Sequence, residues 1–80
     1  MKNDESARYY ENAVGMQPRP GDYYNLACAY AKNNHKQKAL DALEKSVNMG
    51  YGTKQFFMSD ADLDSIKNEK RFNEILEKMR

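Results

Sequence analysis

Between residues 20 and 50 the apolar positions recur with a helical period twice, with a short polar break between the two runs. Tyr23, Leu26, Ala27 and Tyr30 fall at i, i+3, i+4 and i+7, which predicts an amphipathic helix with that face buried. Ala39, Ala42, Leu43, Ser46 and Val47 fall at i, i+3, i+4, i+7 and i+8, which predicts a second helix with small residues in its stripe. Asn33 and Asn34 stand between the runs, and asparagine tolerates the left-handed conformation that a tight helix exit requires. The expected product is a helical hairpin. Ala27 and Ala39 lie where two helix backbones must approach closely, and a bulky side chain there would hold them apart.

The flanking segments repeat this pattern. Residues 1–17 predict a helix capped by Asn3 or Asp4. Its stripe is Ser6, Tyr9, Tyr10, Ala13 and Val14, and Pro18-Arg19-Pro20-Gly21 forbids its continuation. A shift of 33 residues places Tyr10 on Leu43, Glu11 on Glu44, Ala13 on Ser46, Val14 on Val47 and Met16 on Met49. The same shift carries Tyr23-Tyr24 onto Phe56-Phe57, Tyr30 onto Leu63 and Leu43-Glu44-Lys45 onto Leu76-Glu77-Lys78. Tyr10, Leu43 and Leu76 therefore occupy one repeat position, and Glu11, Glu44 and Glu77 another. Residues 1–17 stand as the second helix of a unit whose first helix is absent. That leaves the flank around Ala7, Tyr10 and Val14 with nothing in the chain to cover it.

Residues 51–80 hold the register but degenerate. Ser59-Asp60 falls where Leu26-Ala27 would be, so the first helix of this unit should break there. SDADLDSIKN predicts a short helix capped by Ser59 or Asp60, with Leu63 and Ile66 inward. A last helix over roughly 69–79 carries Phe72, Ile75, Leu76 and Met79 at i, i+3, i+4 and i+7. Phe72 replaces Ala39 at its repeat position, and a phenyl ring there must fill space.

The central hairpin resembles a tetratricopeptide repeat (TPR). That family's unit of about 34 residues has an aromatic residue, Leu, a small residue and Tyr on its first helix, then small, large and small apolar positions on its second. Tyr23, Leu26, Ala27 and Tyr30, then Ala39, Leu43 and Ser46, match them. Tyr51 stands where the family's closing proline belongs, while Pro18 matches that proline after the first helix. Residues 50–76 resemble the degenerate unit that ends many bacterial TPR arrays, which implies a cap over the apolar end of a solenoid. The implied fold is all-α, a right-handed superhelix of helical hairpins with about two and a half repeats. Its parts are a partial repeat over 1–17, a complete repeat over 20–50 and a closing repeat over 51–80. The resemblance also implies a concave groove lined by Tyr24, Asn25, Cys28, Ala31 and Lys32. In it Asn25 matches the asparagine that holds a bound peptide's backbone or terminal carboxylate, unless it orients the neighbouring helix instead. Lys54 is the one further basic residue fit to assist. By spacing, Tyr24, Asn25, Cys28 and Lys32 fall at i, i+1, i+4 and i+8, together beside the buried stripe.

Composition narrows the partners. Thirteen Lys and Arg against 12 Asp and Glu give a net charge of +1 in 80 residues, which removes the electrostatic case for nucleic acid or an anionic membrane. No apolar run reaches membrane-spanning length and MKNDESARYY has no signal-peptide core. A single cysteine allows no internal disulfide, so a reducing, cytoplasmic compartment is the default. Cys28 and His35 suggest a nucleophile and base, but the turn reverses the chain between them and no orienting group is evident. One Cys and one His do not make a structural zinc site. Asp60, Asp62 and Asp64 open like a calcium loop, but Ser65 and Arg71 stand where glycine and the bidentate glutamate are needed. Acidic residues favouring a helix dipole explain them better. Neither catalysis, metal nor cofactor is expected. The expectation is a module that binds a protein or peptide. The alternative is a structural or self-associating segment of a larger array, weakly dimerising through the N-terminal helix.

Overall fold

The computed structural model describes residues 2–79, and they are all-α, with no strand among them. Helix α1 runs Lys2–Met16, α2 Pro20–Lys32, α3 Lys36–Asn48, α4 Lys54–Ser59 and α5 Lys70–Glu77, with a 3-10 helix over Ala61–Ile66 between the last two. Helix α1 already includes Lys2, so Asn3 and Asp4 lie within its first turn and not at the expected cap position. Pro20 opens α2 after an extended Arg19, where its missing N–H costs no hydrogen bond and its fixed φ suits the helix.

Helices α2 and α3 end in the same way. After α2, Asn34 is left-handed, with φ 62°. Its N–H donates to the Ala31 carbonyl at 3.1 Å, and the His35 N–H donates to the Tyr30 carbonyl at 2.9 Å. After α3, Gly50 is left-handed, with φ 89°. Its N–H reaches the Val47 carbonyl at 2.9 Å, and the Tyr51 N–H reaches the Ser46 carbonyl at 3.0 Å. This paired closure satisfies carbonyls that a helix end would otherwise leave bare. The asparagine pair acts as expected, and Tyr51 follows a glycine exit in place of the proline.

Helix α2 is the centre of the molecule, packed against α1, α3 and the 3-10 helix. Leu26 and Ala27 are buried and Tyr23 and Tyr30 half-buried, as the stripe requires. Cys28, Ala29 and Ala31 are buried as well, because α1 and the 3-10 helix pack on further sides of α2. Only small side chains allow that second close approach. Helix α3 likewise meets two neighbours, α2 on one side and α5 with the 3-10 helix on the other. All five residues of its expected stripe are buried, and so is Leu40, at 0% exposure, which the stripe omits.

The expected face of α1 is rotated. Ala7 is buried, and Tyr10 and Val14 pack against the core, although the repeat register leaves their flank open. Ser6 and Tyr9, expected inward, are exposed, Tyr9 by 68%.

In the last unit Thr53 caps α4, its hydroxyl accepting from the Phe56 N–H at 3.1 Å. The helix stops at Ser59, and Asp60 caps the next segment by accepting the Asp62 N–H at 2.9 Å. That segment is a 3-10 helix, in which i and i+3 eclipse, so Leu63 and Ile66 point the same way and both are fully buried. Gly52 has φ 74°, and a Cβ there would lie 2.7 Å from the Phe57 ring. Helix α5 buries Phe72, Ile75 and Leu76. Arg71 ties it to α3 through Asp41 at 2.6 Å and Glu44 at 2.9 Å, and Lys78 joins Glu44.

Candidate functional site

Tyr24, Asn25, Cys28 and Lys32 line one hollow of about 170 Å3, as their spacing along α2 predicts. Ser6 and Tyr10 of α1 and Asp62 of the 3-10 helix complete its walls, with Ala29. Ala31, the remaining expected groove position, is not in it. Its side chain is buried and its carbonyl accepts a hydrogen bond from the Ser65 hydroxyl at 2.9 Å. Lys54 is exposed at the start of α4 and does not reach the hollow.

The chain itself occupies two of these residues. The Tyr24 hydroxyl donates to the Asp60 carboxylate, and Lys32 pairs with Asp62 at 3.3 Å. The Tyr24 ring also lies 5.3 Å from Tyr51, 5.3 Å from Phe56 and 5.9 Å from Phe57, centroid to centroid. Phe56, Phe57, Asp60 and Asp62 therefore lie along one rim of the expected groove. Asn25 differs. It is half-buried, and among the described residues its side-chain amide has no hydrogen-bond partner. Among the described residues it neither caps nor ties a neighbouring helix.

Cys28 is 7% exposed. Burial pushes its thiol up to about 12, Asp62 adds to the effect and Lys32 opposes it. It is a protonated thiol at neutral pH, unlike the thiolate a nucleophile needs. His35 stacks edge-on against Tyr30 at 6.2 Å, in the turn that ends α2. The sulfur of Cys28 and carboxylate oxygens of Asp60 and Asp62 lie within 4.8 Å of one another. Each of these donors already has a competitor: Tyr24 and the Asp62 N–H at Asp60, Lys32 at Asp62, and the proton on Cys28. As expected, Asp60 serves a helix start, with Asp62 and Asp64 in its first turn.

Sequence reasoning missed Ser6, Tyr10 and Asp62. Local spacing sets the stripe of each helix, but it does not say which face of α1 or of the 3-10 helix meets α2.

No protein-family model matches the chain, and no solved structure matches it. A chloroplast protein of Arabidopsis thaliana is 34% identical over 79 residues, covering 94% of this chain and 24% of that protein. The chain thus spans about a quarter of the length of this relative, which comes from a plant and not from a bacterium. Among the described residues no helix is long and apolar enough to cross a membrane.

Proposed function

We propose that the chain is a TPR-like protein-interaction module and that the hollow beside Asn25 receives one side chain or chain end of an extended partner. The repeat reading, of about two and a half hairpin units in a right-handed superhelix, is supported by the 33-residue self-similarity and by two helix exits with the same hydrogen bonds. The binding reading is carried by Asn25. A half-buried amide can donate and accept at once, and this one faces a hollow with neither capacity used among the described residues. Tyr24 and Lys32 are tied to Asp60 and Asp62, so the partner first meets Asn25, Cys28, Ser6 and Tyr10. It gains Lys32 only by displacing Asp62. So small a contact binds weakly, on the order of micromolar to millimolar. The dispersed charge favours a protein partner over nucleic acid, and no step of chemistry or cofactor enters this reading.

Asn25→Ala tests it. Peptides selected on an array and titrated by calorimetry should lose about 1–3 kcal/mol of binding, with an unchanged thermal melt. Undiminished binding by the variant removes the hollow from the reading. The relative's name gives a chloroplast location for that protein, so a fluorescent fusion should decide between that compartment and the cytoplasm.

A second reading rests on α1. Tyr9 and Met16 are 68% and 89% exposed, and exposed apolar groups recruit partners when they form a patch. On this reading the chain is a structural segment of a larger array, or self-associates weakly through α1.

A further inference from the structure

On the side of α2 opposite Asn25 lies a furrow that the peptide-binding reading does not use. At about 100° per residue, Tyr23, Leu26 and Tyr30 project away from Asn25 and Cys28. They floor a cleft of about 220 Å3 between α2 and α3, with Ala42 at its base and Lys38 and Lys45 on its rim. At Tyr30 and Lys38 the cleft meets a second hollow, of about 150 Å3, which reaches Arg8, Asn33 and His35.

The furrow has an apolar floor and a surplus of cations. Lys38 Nζ stands 5.7 Å from the Tyr30 ring centroid and Lys45 Nζ 5.6 Å from that of Tyr23. Among the described residues, Arg8, Lys38 and Lys45 are in no ion pair. The two acids on the rim are already committed. Asp41 is held by Arg71 at 2.6 Å, and Glu11 accepts the Tyr30 hydroxyl. Burial, together with that acceptor, pushes the Tyr30 phenol up to about 12, so it stays a proton donor to Glu11. Asn33 lines the second hollow, and its buried amide nitrogen has no partner. The three cations outnumber the two acids, one of which is already paired with Arg71.

We propose that this furrow is a docking surface for an acidic amphipathic helix of a protein partner. Lys38 and Lys45 are two helical turns apart, about 10 Å. A helix with acidic residues at i and i+7 and apolar residues between them presents carboxylates at that spacing and fills the floor. The aromatic rings hold the ammonium groups over the cleft, so the cations are placed before the partner arrives. This surface is separate from the Asn25 hollow, and neither depends on the other.

The test is a nuclear magnetic resonance titration of the isotope-labelled full chain. The probe is a 14-residue acetylated amphipathic peptide with glutamates at i and i+7 and leucines between. Amide shifts centred on residues 23, 26, 30, 38, 42 and 45, weakening as salt is raised, support the proposal. Lys38→Glu with Lys45→Glu should weaken binding at least tenfold, and Asn25→Ala should leave it unchanged. Both lysines are exposed, and the variant's circular dichroism should match the parent's. The proposal is overturned if shifts centre on residues 24–28 and 32, if the double variant binds equally, or if a peptide with serines replacing the leucines binds as well. It is also overturned if a nucleic-acid oligomer or anionic vesicles compete at the same residues more strongly than the peptide.

Discussion

Helices α1 and α5 hold the same place in the 33-residue register, at opposite ends of the chain, and bury their apolar residues very differently. Tyr9 and Ile75 are equivalent positions. Tyr9 is 68% exposed and Ile75 1%. Ser6 and Phe72 are also equivalent, one exposed and the other buried. The shorter helix has the better core, because α5 packs against α3 and its phenyl ring fills the space that a repeat partner would take. Helix α1 meets only α2 among the larger contacts, through Ala7, Tyr10 and Val14. The difference teaches that burial belongs to a helix together with its neighbours. The same stripe is a core in one place and a surface in another.

The largest effect should come from breaking the closed end. Phe72→Ala removes a buried ring and should cost about 3–5 kcal/mol. Domains of this kind hold only about 5–15 kcal/mol in total. A thermal melt should therefore show the variant largely unfolded or nearly so, and a midpoint within a few degrees of the parent would mean that α5 is not part of the core.

A smaller effect separates the two ends by acid. Hydrogen bonds from Lys78 and Arg71 hold the Glu44 carboxyl below its usual range, while partial burial works against them. A lowered folded value means that Glu44 contributes its stability above the ordinary carboxylate range. That contribution fades as pH falls from there through the folded value. For a partly exposed pair the loss is modest, about 0.2–1 kcal/mol. Hydrogen exchange should show α5 loosening in acid before α1 does, and the Glu44→Gln variant should abolish that difference.

The smallest effect concerns the open end. Tyr9→Ser with Met16→Ser should change stability by no more than about 0.5 kcal/mol, as surface substitutions do, while abolishing any weak self-association seen by analytical ultracentrifugation. A melt lowered by several degrees would mean that these side chains pack within the chain after all.

Much of this was legible in sequence because the helical period and the 33-residue register reinforce each other. The α2–α3 hairpin, the break at Ser59 and the inward Leu63, Ile66, Phe72, Ile75 and Leu76 all followed from spacing. Two misses have one cause. Leu40 and Ala7 are 33 residues apart: Leu40 lies outside the spacing stripe of α3, and Ala7 lies on the flank of α1 that the register leaves uncovered. Both residues face the following unit instead, Leu40 as part of α3's two-sided burial and Ala7 as part of α1's packing on α2. The candidate site was half legible. The four α2 positions share a hollow because spacing on one helix fixes direction. Asp60 and Asp62, about 30 residues or more further on, close over Tyr24 and Lys32 through contacts that no local pattern encodes.

The ring of Tyr24 has an optical consequence. The chain has no tryptophan, and Tyr24 lies among Tyr51, Phe56 and Phe57 at interplanar angles of 30°, 46° and 47°. Rings fixed close together at such angles couple their electronic transitions, so this cluster should dominate the near-ultraviolet circular dichroism. The chain thus carries its own chromophore at the junction where residues 51–57 meet α2, and its signal follows that junction without a label.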